Sequence, residues 1–116
     1  MKQELEAFLS LRLPLPGLAA WGARLADRSM ASRSFAPSLA ARQIEQTVTK
    51  LTQAAEQLAD HRIQPVRFCW VFEHLRIHVA LRREGHCLAL FVENRPGLAS
   101  TALDGLLDDF VNLPAL

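Results

Sequence analysis

Between Val66 and Glu93 the chain runs through three short apolar segments, broken by Glu73-His74 and by Glu84-Gly85. Alternation with a period of two predicts strands, and the short polar or glycine breaks predict tight turns, so the segment reads as an antiparallel meander. With Glu84-Gly85 at the centre of its hairpin, Leu81 faces Leu88, Val79 faces Leu90 and Ile77 faces Val92 on one side. The other side pairs Arg82 with Cys87, Ala80 with Ala89, His78 with Phe91 and Arg76 with Glu93, the last of opposite charge. A turn at Glu73-His74 sets Phe72 opposite Leu75, Trp70 opposite Ile77 and Phe68 opposite Val79, on the same apolar face. A slip of one residue would carry that set to the opposite side, which is what specifies the register.

Helical periodicity governs the rest. Leu5, Phe8 and Leu9 give residues 2–11 one apolar stripe, and Pro14 and Pro16 end the helix. Residues 18–25 and 30–35 form a hairpin around Asp27-Arg28, although Gly22 and the alanines are weak strand formers. From Ser38 to Asp60, Ile44, Val48, Leu51, Ala55 and Leu58 alternate steps of four and three, the signature of a long amphipathic helix. Pro65 precedes the meander and Arg95-Pro96-Gly97 follows it. Thr101 with Asp104 resembles a capping box that opens a last helix, with Leu103, Leu106, Leu107, Phe110 and Val111 inward and Gly105 weakening it slightly. The order α-β-β-α-β-β-β-α with an antiparallel sheet predicts one α+β domain over residues 1–116, not a Rossmann-type fold.

Composition narrows the function more than it names it. The 116 residues, half of them hydrophobic, suit one folded domain. A net charge of +1 without a basic stripe argues against nucleic acid and anionic membrane surfaces. No apolar stretch approaches the roughly 20 residues of a membrane span. The opening MKQELEAFLSLRLPLPG mixes in charges too early for a signal peptide, so a cytoplasmic location is expected. Cys69 lies opposite His78 and Cys87 opposite Arg82, about 13 Å apart along the middle strand, so both are expected as thiols.

Candidate chemistry is sparse. Neither G-x-x-x-x-G-K-[ST] nor G-x-G-x-x-G occurs, so no phosphate loop is expected. His74 and His78 have zinc-pair spacing only for a helix; in an extended segment they stand about 13 Å apart. Cys69 and His78 could serve as nucleophile and base, yet no acid is evidently placed to orient the histidine. Asp104, Asp108 and Asp109 read as a solvated helix face, Asp104 also suiting the helix dipole. Trp21 and Trp70 could stack on a ligand, but Trp70 shares a face with Phe68 and Ile77 and is expected in the core. No catalytic residue, cofactor or metal is expected.

One segment points past a bland monomer. Residues 66–72, Val-Arg-Phe-Cys-Trp-Val-Phe, begin the meander with no assigned outer neighbour. An open edge this aromatic and β-branched is an aggregation hazard unless something pairs with it, and Arg67 is the one charge inside it. A two-fold-related copy is the simplest partner.

Several local strings and the order of elements resemble the roadblock / dynein light chain family, a longin-like group. They are Leu15-Pro16-Gly17-Leu18 before the first strand, Asp27-Arg28 at the first turn, Ser32-Arg33-Ser34-Phe35 after it, then the long helix, the meander and the closing helix. The resemblance implies a five-stranded sheet ordered 2-1-5-4-3, with the long helix on one face and the terminal helices on the other. It also implies a homodimer paired through third strands, with the two long helices side by side. Family members are non-enzymatic scaffolds in dynein complexes, endosomal platforms and bacterial polarity systems, where a homodimer regulates a small Ras-like GTPase. The expected seam comprises Phe68, Cys69, Trp70, Val71 and Phe72, with Ile44, Val48 and Leu51 of the long helix meeting its mate or the sheet. The competing reading is a small-molecule-sensing PAS- or profilin-like module, which would need a pocket with a few convergent polar groups.

Overall fold

Residues 2–63, 66–94 and 100–114 are described by the computed structural model. In chain order they form α1 (Lys2–Ser10), β1 (Leu18–Arg24), β2 (Met30–Ser34), α2 (Ala41–Asp60), β3 (Arg67–Val71), β4 (Leu75–Leu81), β5 (Cys87–Glu93) and α3 (Ser100–Asn112). The strands make one antiparallel sheet ordered β2-β1-β5-β4-β3, the topology that the family resemblance implies. Helix α2 covers one face and α1 with α3 the other, giving two cores separated by the sheet. Ile44, Val48 and Leu51 pack with Ile77, Val79, Ala89 and Phe91. Leu5, Leu9, Leu106, Leu107 and Phe110 pack with Trp21, Leu88, Leu90 and Val92.

The β3–β4 pairing is as the alternation predicts, with Phe68 opposite Val79 and Trp70 opposite Ile77. The β4–β5 pairing is not. Leu81 lies opposite Cys87, Val79 opposite Ala89, Ile77 opposite Phe91 and Arg76 opposite Val92, one residue away from the predicted register. Glu84-Gly85 is not a two-residue turn. Arg82 N–H donates to the His86 carbonyl at 2.9 Å and Gly85 N–H to the Arg82 carbonyl at 3.0 Å, so Arg83, Glu84 and Gly85 make a loop of three. Gly85 takes its left-handed position with φ +103°. The slip moves Leu88, Leu90 and Val92 to the α1/α3 face and leaves Cys87, Ala89 and Phe91 under α2. Alternation could not detect it, because β5 is central and buried from Cys87 to Val92 on both faces. Either register yields an apolar row.

The same device closes β1 to β2. Leu25 N–H donates to Ser29 O at 2.9 Å and Arg28 N–H to Leu25 O at 2.8 Å, with Arg28 at φ 70°. The two loops also touch, since Ala26 N–H donates to His86 Nδ1 at 3.0 Å.

Gly22, a weakness by strand propensity, is where α2 comes down on the sheet. A Cβ there would stand 2.6 Å from Ile44 Cγ2 and 2.8 Å from Val48 Cγ2. Only glycine admits that approach. Helix α2 begins at Ala41 rather than near Ser38, its Ala40 N–H held by the Gln43 side chain at 3.1 Å. Helix α3 begins at Ser100, which puts Thr101 inside its first turn rather than at its cap, and Arg95-Pro96-Gly97 lies outside the described residues. Its C-terminal carbonyls are capped by Arg82, which donates to Phe110 O and Leu113 O, both at 2.7 Å.

Candidate interaction surface

The edge strand β3 sits where two coverings stop short. Helix α2 packs on β1, β2 and β5, and α3 packs on β4. Phe68 still reaches the α2-side core, but Trp70, two residues on and on the same face, is 43% exposed. Its ring meets that of Phe68 at 6.3 Å between centroids. The core position expected for Trp70 is therefore incorrect: its partner in the sheet is buried Ile77, yet no helix of the described residues lies over it. On the opposite face Val71 is 67% exposed. Ile63, Val66 and Phe72 are more than half or nearly half exposed as well. Large exposed apolar side chains thus gather in the chain from 63 to 72, an unusual concentration for solvated surface.

The single charge on β3 does not guard the edge. Arg67 Nη2 reaches Asp104 and Nη1 reaches Asp108, both at 2.8 Å, so its guanidinium is turned back onto α3. The same contacts account for two of the three α3 aspartates, and Arg12 holds Asp109 at 2.6 Å. They tie helices and strand together.

Of the other expected seam residues, Cys69 is exposed on β3, while Ile44, Val48 and Leu51 are at most 2% exposed. Those three are engaged against the chain's own sheet, so their side chains cannot also meet a partner helix. The outer face of α2 is polar instead, with Arg42, Gln46, Lys50 and Gln53 along it. The amphipathic stripe identifies the buried face of a helix; it does not say that any of that face is left over.

Cys69 Sγ lies 3.7 Å from His78 Nε2. Burial raises the thiol pKa and lowers that of the imidazole, with the Arg76 charge further disfavouring the imidazolium. Both shifts favour the neutral pair, the opposite of an activated thiolate. Asp104 and Asp108, the carboxylates that reach this strand from α3, are held by Arg67. Cys87 is buried, its thiol pushed up to about 11 by that burial. Both cysteines are free. Among the described residues no three His, Cys, Asp or Glu side chains gather to hold a metal, and His74 lies in the exposed β3–β4 turn. No helix among the described residues is long and apolar enough to cross a membrane.

What the strand pattern did not reveal is a cavity of about 350 Å³ between α1 and the β1–β2 pair, with Trp21 and Arg33 in its wall. Its walls come from three separate elements, which no local pattern joins.

Among solved structures, Myxococcus xanthus MglB matches this one with a TM-score of 0.61 at 9% sequence identity, covering 81% of this chain and 74% of that one. The chain has the roadblock fold. No protein-family model matches the sequence, and no curated protein matches it. At that identity the likeness of this chain to MglB is one of architecture.

Proposed function

We propose that this roadblock-fold chain is a non-catalytic homodimeric scaffold that joins to a copy of itself through β3 and presents the joined sheet to a protein partner. The observation that carries the reading is the open β3 edge, flanked by exposed Trp70 and Val71 on opposite faces. Backbone N–H and C=O groups on such an edge need a strand partner as much as its side chains need cover. A second β3 in antiparallel alignment supplies both, and an isologous contact closes after two copies. The partner class follows from the resemblance: a small Ras-like GTPase, as for the bacterial polarity members of the family. The likeness to MglB supports the architecture on which that proposal rests.

Sedimentation at micromolar concentration tests the first half, with an expected mass near twice 12.9 kDa. A monomer would overturn the seam. Capture of GDP- and GTP-analogue-loaded small GTPases from the same organism by the immobilised dimer tests the second half. A dimer that retains none of them would keep the seam and overturn the partner class.

A further inference from the structure

The cavity beside β2 has the makings of a small-molecule site. Its floor is Trp21, which is only 5% exposed, and Leu9, at 1%, backs it from α1. Trp21 and Arg33 are direct cross-strand partners, so their side chains rise from the same face of the sheet about 5 Å apart at the Cβ atoms. Leu13 and Phe35 add apolar wall, and Glu6 stands on the helical side.

Three polar groups around this space have no hydrogen-bonding or ionic partner among the described residues. The Trp21 indole N–H makes no hydrogen bond among the described residues, although a buried indole usually finds one. Nor is it sealed in: the fully enclosed side-chain nitrogen without a partner is Arg76 Nε, far along the sheet on β4. The opening left to an indole this deep is the cavity that it lines. The Arg33 guanidinium lies over the Phe35 ring at 5.2 Å, and no carboxylate among the described residues takes it. Glu6 has no ion pair among the described residues either, so opposite charges face one cavity without closing on each other.

These features select a ligand. A bare inorganic anion would use the donors and leave the apolar wall wet. A plain hydrocarbon would cover the wall and bury the indole N–H unpaired, which is costly. A volume of about 350 Å³ is at the small end of ligand pockets, too small for a nucleotide-sized molecule with room to turn. We propose that the cavity binds a free apolar α-amino acid, its carboxylate held by Arg33 and the Trp21 N–H, its ammonium by Glu6, and its side chain against Leu9, Leu13 and Phe35.

The chain has two tryptophans, so Trp70→Phe leaves one indole N–H resonance, that of Trp21. In that protein, millimolar L-leucine or L-phenylalanine should move the resonance saturably, while leucinamide (no carboxylate) and 4-methylpentanoate (no ammonium) should bind at least about tenfold more weakly. Arg33→Gln and Glu6→Gln, both at exposed positions, should each weaken leucine about tenfold or more with unchanged circular dichroism. No saturable shift at millimolar amino acid would overturn the site. Equal binding of leucinamide, equal binding of 4-methylpentanoate, or full leucine binding by either variant would overturn the assignment of the ligand.

Discussion

Two five-residue strands end the sheet, and they are unlike in what they show to solvent. On β2, Ala31 is buried, and Met30, Ser32 and Ser34 are partly so. The Ser32 hydroxyl donates to Glu45 at 3.2 Å and the Ser34 hydroxyl to Ala36 O at 2.7 Å. No carboxylate among the described residues takes the exposed Arg33, which leaves its charge to keep another strand away. On β3 the one charge, Arg67, is turned inward by two aspartates, while Trp70 and Val71 stand exposed. Both edges contain an arginine. What separates a finished edge from an unfinished one is whether that charge is free to guard it.

The harshest test of this contrast is to put free charge on β3. Trp70→Lys with Val71→Lys should weaken self-association by about a hundredfold or more, some 3 kcal/mol, with the monomer still folded. Arg33→Leu, which takes the free charge from β2, should instead raise the sedimentation mass above that of the dimer at the same concentration. If the two edges responded alike, the contrast would be wrong. Trp70→Ala alone should cost the monomer about 1 kcal/mol, well short of the 3–5 kcal/mol of a core tryptophan, because nearly half of this side chain is already in water.

The β2 side of the sheet depends instead on the seating of α2. Gly22→Ala would press a methyl group against the stiff branched carbons of Ile44 and Val48. A loss of about 1–3 kcal/mol is expected in chemical denaturation. Since Gly22 is distant from β3 in the strand order, dimer affinity measured below the unfolding transition should hold.

How much of this the sequence disclosed depended on how many faces each element buries. The α2 stripe from Ile44 to Ala55 and the β3–β4 register could be read, because each has one apolar face and a contrasting one. Strand β5 could not, since Cys87 to Val92 is buried on both faces and the loop length alone fixes its pairing. Trp70 was misplaced for another reason: its face is right, but whether a helix reaches over it depends on the lateral position of α2, which no strand pattern contains. The cavity under α1 was beyond reach too, because the Trp21 indole gains its meaning from Arg33 across the hairpin and Glu6 on a helix.

His86 joins the loops that close both hairpins, and so links the β2 half of the sheet to the β4–β5 hairpin. Its Nδ1 accepts the Ala26 N–H, which requires a neutral ring. Burial lowers its pKa below the ordinary 6.5, opposed by Glu84 and Asp27 and assisted by Arg82. The unfolded chain therefore binds the proton more readily, so this contribution is complete above about pH 6.5 and is lost as pH falls below it. His78, also lowered by burial, adds to the same limb, whereas Asp27 and Glu84, both lowered, act only nearer pH 4. Between pH 7 and 5 the wild type should lose thermal stability, and His86→Gln should lose less. An identical slope would show that the imidazole is not the link.

The smallest effect lies where α2 hands the chain on towards β3. Arg62 N–H donates to Ala59 O and Ile63 N–H to Leu58 O, both at 2.9 Å, the double bond of a Schellman turn. That turn needs a left-handed residue, and Arg62 takes it at φ 63° where glycine would sit without strain. Arg62→Gly should relieve the strain while loosening the unfolded chain, a net gain of about 0.5 kcal/mol and a rise in Tm of about 2–3 °C. The shift also bears on the seam. Strain inside one chain does not depend on a second copy, so the gain should be the same at every protein concentration. The loss from charging Trp70 and Val71 should instead grow as dimer replaces monomer. A concentration-dependent gain from Arg62→Gly would place the turn after α2 in the interface beside β3.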